Sequence, residues 1–272
     1  MKPYPALSAA ALCAAAGAMP ATAAAQTNEP WQFQGTLYLY LPTIDGQTTF
    51  GPPPGTDTGI GIDGKTILEH LKMTFMGALE ARSGAWGGFT DVVYVNLGAS
   101  KSGTRDLTIG GQPLPAGATA DLSYDLKGYA WTLAGTWRAR PDPAAPLDLI
   151  AGARLLQIDQ TLDWQLSGNI GAIALPAQGG SLATSLHHWD AIVGVKGRLA
   201  FGAQRQWFVP YYLDAGAGES KSTWQAMAGV GYGFGWGDVV GAWRHLDYRM
   251  KSGDKLHSLS FDGPAVAVTW RW

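Results

Sequence analysis

The chain closes on eleven residues that alternate with period two: Asp262-Gly-Pro-Ala-Val-Ala-Val-Thr-Trp-Arg-Trp272. Successive side chains of a β-strand point to opposite faces. Trp272, Trp270, Val268, Val266 and Pro264 therefore share one face, and Arg271, Thr269, Ala267 and Ala265 share the other. An apolar face beside a polar or small one, over about ten residues, is what a strand needs to stand between lipid and a lumen. Beyond the amino-terminal segment, no stretch has the 18 or so unbroken apolar residues of a spanning helix. A chain that crosses a bilayer without such helices must close its sheet, because an open edge would leave amides unbonded in hydrocarbon.

The aromatic carboxyl end, with Val266, Val268, Trp270 and Trp272 on one face, resembles the signal read by the bacterial β-barrel assembly machinery. The amino terminus carries the matching address. Lys2 precedes a small apolar run from Ala6 to Ala18, and Ala23-Ala24-Ala25 offers an A-x-A cleavage site. The expected organisation is a removed signal peptide over 1–25 and one barrel domain over 26–272, exported to the outer membrane of a Gram-negative bacterium. Cys13, the only cysteine, falls in the removed segment, so neither a disulfide nor thiol chemistry is expected. Without Lys2 there are 18 Lys and Arg against 21 Asp and Glu, a net charge of −3 that argues against nucleic acid as a partner. Outer-membrane lipids and the assembly machinery are the expected partners, with small solutes if the lumen conducts. Mean hydropathy near zero (−0.02), with 12 Trp and 37 Gly, is unusual for a water-soluble domain of this size.

Period-two facing recurs upstream. From Trp31 to Leu41 the odd positions are Trp, Phe, Gly and three Leu, while the even ones are Gln32, Gln34, Thr36, Tyr38 and Tyr40. In the segment around Trp189, Ala191, Val193, Val195 and Leu199 face one way, and His188, Asp190, Lys196 and Arg198 the other. Charge on the second face fits a polar lumen better than a hydrophobic core. The pattern predicts an all-β, transmembrane, antiparallel up-and-down barrel of ten strands, with eight or twelve as fallbacks. The strands fall near 31–50, 72–82, 87–100, 119–138, 147–163, 184–201, 207–217, 222–236, 238–250 and 256–272. Tight turns at 83–85, 201–205 and 235–237 and a Pro-rich link at 141–146 lie at one end. Loops over 51–66, 101–118, 164–183, 218–221 and 251–255 lie at the other, with one helical turn over 66–71. Trp31, Trp86, Trp137, Trp207, Trp236, Trp270 and Trp272 fall at the tight-turn end, and Trp164, Trp189 and Trp224 near the loop end, as two interfacial belts. Facing switches near Gly128 and Leu155 suggest β-bulges. The strand with Asp91 among Phe89, Val93, Val95 and Leu97 has no clean face.

From Pro210 onward, PYYLDAGAG, TWQAMAGVGYGFGW, WRHLDY and GPAVAVTWRW resemble the carboxyl-terminal half of an uncharacterised proteobacterial outer-membrane β-barrel family of small, 8–12-stranded members. The resemblance covers about a quarter of the chain, and the Trp31–Leu41 start more loosely. It implies fold and location, and no activity.

The candidate lumen charges are Glu80, Arg82, Lys127, Arg154, Asp190, Lys196, Arg198, Asp214 and Arg244. Two readings compete for them: ion pairs that fill a narrow lumen, or a charged constriction that selects small solutes. A 201–207 turn would set Asp214 diagonal to Lys196. Catalytic candidates are His188 with Asp190 and His245 with Asp247, since a carboxylate can orient an imidazole as a general base. Omptin-like proteases use a His–Asp pair but add Asp-x-Asp, which this chain lacks. Lipid A-modifying hydrolases pair His with Ser, for which only Ser185 and Ser258 stand near. Two adjacent histidines, His187 and His188, have no third ligand at suitable spacing, so no metal and no cofactor are expected. Gly229-Val-Gly-Tyr-Gly-Phe-Gly235 precedes a turn and a strand rather than a helix, which excludes a nucleotide loop. Its glycines instead read as an emptied lumen face that makes room for bulky residues across the barrel. A non-enzymatic barrel, structural or narrowly conducting, is the expected function. An outer-membrane enzyme with a rim His/Asp site is the alternative.

Overall fold

The structure, a computed structural model, describes residues 29–49, 57–62, 71–103, 108–109, 112–113, 118–170, 173–253 and 256–272. The expected signal peptide and the helical turn over 66–71 lie outside these residues, apart from Leu71, which opens a strand. The strands are β1 (Gln32–Tyr40), β2 (Thr43–Thr49), β3 (Asp57–Ile62), β4 (Leu71–Ser83), β5 (Trp86–Gly103), β6 (Thr108–Ile109) and β7 (Gln112–Pro113). They continue as β8 (Ala118–Arg140), β9 (Leu147–Ile170), β10 (Ile173–Phe201), β11 (Trp207–Gly218), β12 (Ser222–Gly233), β13 (Gly237–Arg249) and β14 (Leu256–Arg271).

Ten of them form a closed antiparallel barrel in the order β1-β4-β5-β8-β9-β10-β11-β12-β13-β14. The seam is β1 against β14, running from Gln34↔Arg271 to Tyr40↔Ala265. Beyond Leu41 and Pro42, β2 continues along the far half of β14, and β3 pairs back on β2. Gly263 permits that break: a Cβ there would stand 2.7 Å from the Pro42 Cα. One end of the barrel carries the tight turns. Gly84 (φ 58°), Gly202 (φ 85°) and Arg205 (φ 53°) supply the left-handed conformations those turns need. Both described chain ends meet there, where Phe33 and Trp272 exchange backbone hydrogen bonds.

The segments 101–118 and 164–183 were expected as loops, but their described residues are strand. β5 pairs with β8 out to Gly103↔Ala120, β8 with β9 out to Ala118↔Gly168, and β9 with β10 out to Ile170↔Ile173. β10, with 29 residues, spans roughly 95 Å at about 3.3 Å per residue. About ten residues cross a bilayer. One wall therefore rises well beyond the barrel.

Large apolar side chains cover the outside. Leu37, Phe75, Leu79, Leu133, Val193, Leu199, Leu213, Val230 and Val266 are all exposed. At the tight-turn end the aromatics touch in series: Trp31, Phe33 and Trp272 stack, Trp86 meets Trp137, and Trp207, Tyr232, Phe234, Trp236 and Trp270 form a run. Of the four residues expected to form an assembly signal, Val266, Trp270 and Trp272 are exposed on this outer surface. Higher up, Trp131 and Trp189 contact edge-on across Leu155, and Trp224 lies over His245. Trp164 does not join that belt. It sits at an even, inward-parity position nine residues beyond Leu155, where its ring lies 2.8 Å from where a Gly180 Cβ would be.

The two expected facing switches are absent, because the β8–β9 register is continuous from Ala118 to Arg138. Along β8 from Leu126 to Thr136 and along β9 from Asp148 to Gln160, the even residues point inward. Above Thr132 and Arg154 the inward face itself turns apolar, with Leu126, Ala130, Leu156 and Ile158. Leu155 faces outward and is 3 % exposed because the paired Trp131 and Trp189 cover it. β5 also has a consistent face: Phe89, Asp91, Val93 and Val95 all point inward, with Asp91 bonded to Tyr38 and Arg244.

The glycines of β12 serve neighbouring strands rather than residues across the barrel. Gly231 makes room for the Phe208 ring of the adjacent β11, and a Cβ on Gly229 would lie 2.7 Å from the Ala242 Cα of β13. Backbone cannot move aside as a flexible side chain can, and overpacking costs about 1–3 kcal/mol or more. Gly229→Val is thus expected to lose at least that much stability in urea titrations in detergent, and more than Gly241→Ala, whose Cβ meets open space.

Candidate functional site

Read upward from the tight turns, the inward side chains form three layers. The lowest is charged. Asp148 of β9 accepts from Arg82 of β4 (2.5 Å) and from Arg138 of β8 (Nε, 2.5 Å; Nη2, 3.2 Å). Arg82 reaches Glu80 at 3.3 Å, and Glu80 takes Lys196 of β10 at 2.5 Å. Across the mouth, Asp238 of β13 holds both terminal nitrogens of Arg271, while Arg198 approaches the same carboxylate at 3.8 Å.

The middle layer is a pair of buried arginine clusters. Arg154, 0 % exposed, forks onto Asp214 and donates Nε to Thr132 at 3.0 Å, and the Tyr212 hydroxyl donates to Asp214 at 2.5 Å. Arg244 donates to Asp91, Gln225 and the Tyr38 hydroxyl, each at 2.9 Å, and Tyr38 donates onward to Asp91 at 2.7 Å. The rings of Tyr38 and Tyr40 lie 5.7 and 5.5 Å from that guanidinium. Desolvating two arginines is tolerable only where carboxylates and other acceptors meet them, and of their donors the Arg244 Nε is left buried without a hydrogen-bond partner.

The top layer is apolar. Ile44, Leu126, Leu156, Ile158, Leu246, Tyr248, Met250, Leu256 and Leu259 pack as one cluster across the lumen, with Ile44 supplied by β2. The residual space beside it is about 50 Å³. Below the middle layer lies a cavity of about 980 Å³, lined from Gln32, Arg138 and Pro143 at the rim to Asp91, Thr132 and Arg244 at the floor. Side-chain exposure falls along it from 43 % at Arg271 to 6 % at Arg244. The lumen thus opens at the tight-turn end and is closed above.

The Lys196–Asp214 diagonal does not form an ion pair. The register does set Gly194 opposite Asp214 and Lys196 opposite Tyr212. Yet Lys196 reaches across to Glu80, and Asp214 takes Arg154, whose five-donor fork matches a carboxylate better than an ammonium does. Lys127 is exposed at an odd, outward position and takes no part in the lumen. Arg271, on the polar face of the last strand, belongs to the clusters, as do Asp91, Asp148, Asp238 and Arg138, which no single-strand pattern marked. Their signal was parity with a known inward neighbour, such as Asp148 with Arg154.

The four catalytic candidates do not converge. His188 and Asp190 share the inward face of β10, whereas His245 and Asp247 sit at odd positions of β13, whose even residues Arg244, Leu246 and Tyr248 are buried. The strand wall separates the two pairs. Asp190 accepts from the Ser220 amide at 3.0 Å and its hydroxyl at 2.7 Å, tying down the β11–β12 turn. His245 meets Asp262 of β14 at 2.9 Å rather than Asp247. Among the described residues no group of three or more His, Cys, Asp or Glu could hold a metal ion.

No protein-family model and no curated protein matches this sequence. Solved structures similar to it are outer-membrane β-barrels. Ail, the attachment invasion locus protein of Yersinia pestis, is 9 % identical over 90 % of this chain and 99 % of its own, with a TM-score of 0.33. The translocator domain of autotransporter NalP from Neisseria meningitidis is 10 % identical over 91 % and 90 %, at 0.27. A FadL homologue of Pseudomonas aeruginosa is 11 % identical over 89 % and 90 %, at 0.26. The closure of the barrel rests on its strand registers and not on these likenesses.

Breaking one partner of a buried pair leaves a bare charge and costs about 3–5 kcal/mol, whereas replacing both with apolar groups is often near neutral. Arg154→Met is expected to lose about that much stability in urea unfolding in micelles, and Arg154→Met with Asp214→Leu to recover most of it. Asp190→Asn, which weakens the tie to Ser220, should cost about 1–3 kcal/mol.

Proposed function

We propose that the protein is an integral outer-membrane β-barrel of a Gram-negative bacterium, non-enzymatic and closed to free solute flow. The apolar layer across the lumen carries this reading. Ten strands enclose little more than an eight-stranded barrel, which side chains fill, and here Leu126, Leu156, Leu246 and Leu259 fill it above the arginine clusters. The girdle of exposed Leu, Val, Phe and Trp supports a bilayer as surroundings, since a soluble protein rarely exposes so continuous an apolar surface. Short turns at one end and the tall wall at the other support a periplasmic mouth and an outer face projecting from the cell. The separation of His188 and Asp190 from His245 and Asp247 weighs against a single rim active site of protease or deacylase type.

Purified, refolded barrel should migrate differently on gels before and after heating. In planar bilayers it should stay silent or give only small, brief steps. Steady conductance of general-porin size would refute the closed lumen. Proteolysis and lipid A deacylation assays should show no turnover, and His188→Ala should alter stability without removing an activity. Turnover lost in His188→Ala while heat-modifiability persists would establish the enzyme instead.

A further inference from the structure

The charged mouth is not neutral, and its imbalance is concentrated on donors that the fold leaves unused. Six cationic side chains line the cavity, Arg82, Arg138, Lys196, Arg198, Arg244 and Arg271, against four carboxylates, Glu80, Asp91, Asp148 and Asp238. Arg244 and Asp91 satisfy one another at the floor, and Lys196 and Glu80 at the side. Two arginines remain on each of the other two carboxylates: Arg82 and Arg138 on Asp148, Arg198 and Arg271 on Asp238. Two positive charges are therefore in excess within one enclosure. Arg138 and Arg198 repel each other across it, as do Arg198 and Arg271.

Arg82 is held by Glu80, Thr136 and Asp148 through Nη2, and its buried Nη1 has no surface open to the cavity. The cations a ligand can reach include Arg198 and Arg138, whose side chains are 39 % and 26 % exposed. Arg198 stands 3.8 Å from Asp238, beyond hydrogen-bond length, because Arg271 holds both oxygens of that carboxylate. Its guanidinium rests instead over the Phe208 ring at 5.4 Å. The cavity volume, about 980 Å³, is that of a small-molecule site. Phe33, Phe208 and Tyr211 supply apolar wall between the charged groups.

We propose that this mouth is a binding site for a small organic dianion, of the aromatic or aliphatic dicarboxylate class. One carboxylate lies against Arg198, the second against Arg138, and the carbon skeleton against Phe208. Bound there, the ligand neutralises the excess charge, relieves the repulsion between the two guanidiniums and gives Arg198 the planar acceptor it fits. The site faces the periplasm in the orientation proposed above, but its existence requires only the folded barrel and not a closed lumen.

The test is isothermal titration calorimetry on the refolded, heat-modifiable barrel in non-ionic detergent. The probes are phthalate, its monoanionic counterpart benzoate, and inorganic phosphate. Phthalate should bind, benzoate about tenfold or more weakly, as one charged hydrogen-bonded group is lost. Binding should weaken as salt rises, in keeping with partly exposed charge. Arg198→Gln should weaken phthalate about tenfold while leaving heat-modifiability intact, and Arg138→Gln should do the same if it folds. Arg198 alone suffices as the test, since it makes no hydrogen bond the fold depends on. Absence of phthalate heats at about 10 mM, equal affinity for benzoate, or an unchanged Arg198→Gln would each overturn the proposal. Phosphate binding as tightly as phthalate would overturn the organic class. A conducting barrel that still binds phthalate would leave this site standing and remove only the closed-lumen reading.

Discussion

Backbone amides surrounded by hydrocarbon have no water to bond, so a membrane-spanning sheet must have no edge. The β1–β14 seam meets that demand, and much of the remaining architecture follows from it. Closure at ten strands sets a narrow interior, and alternation puts half of every strand's side chains into it. The outer half is free to be Leu, Val, Phe and Trp because lipid is its solvent in the proposed setting. The inner half must then be packed, paired or wet.

The interior uses all three solutions in turn along its axis. At the open mouth, Arg138, Arg198 and Arg271 are partly solvated and share carboxylates loosely. Deeper in, Arg154 and Arg244 are dry, and each is held by a carboxylate and other acceptors, from two other strands for Arg154 and three for Arg244. Above them, aliphatic side chains replace charge altogether. This gradient follows the supply of water: charge tolerates partial pairing where solvent reaches it and requires full pairing where solvent does not. It also ties the strands together, since Arg244 on β13 reaches Tyr38 on β1 and Asp91 on β5 across the lumen.

Much of this was legible in the chain before any coordinates. The facing of Trp31–Leu41 and of the segment around Trp189, the tight turns and the tight-turn aromatic belt all follow from local alternation and from Gly and Pro placement. Where one face met lipid and the other water, the pattern was plain. It failed in two places. Over 164–183 small and apolar residues stand on both parities, such as Leu166 and Ile170 beside Ile173 and Leu175, and period two loses its contrast. Around Gly128 and Leu155 the inward face becomes as apolar as the outward one, so a change in what fills the lumen imitated a change in facing.

Composition and alternation by themselves determined that this chain closes into a barrel, which residues look outward, and that charge lies within, because each depends only on neighbours two residues apart. Which charges meet was decided by the tertiary structure. Asp214 finds Arg154 rather than Lys196, and His245 finds Asp262 rather than Asp247, because strand register and barrel curvature set those distances across chain separations of up to 60 residues. The same is true of the mouth. Arg82, Arg138, Arg198 and Arg271 come from four strands, and only closure of the sheet places them around one cavity with two carboxylates too few.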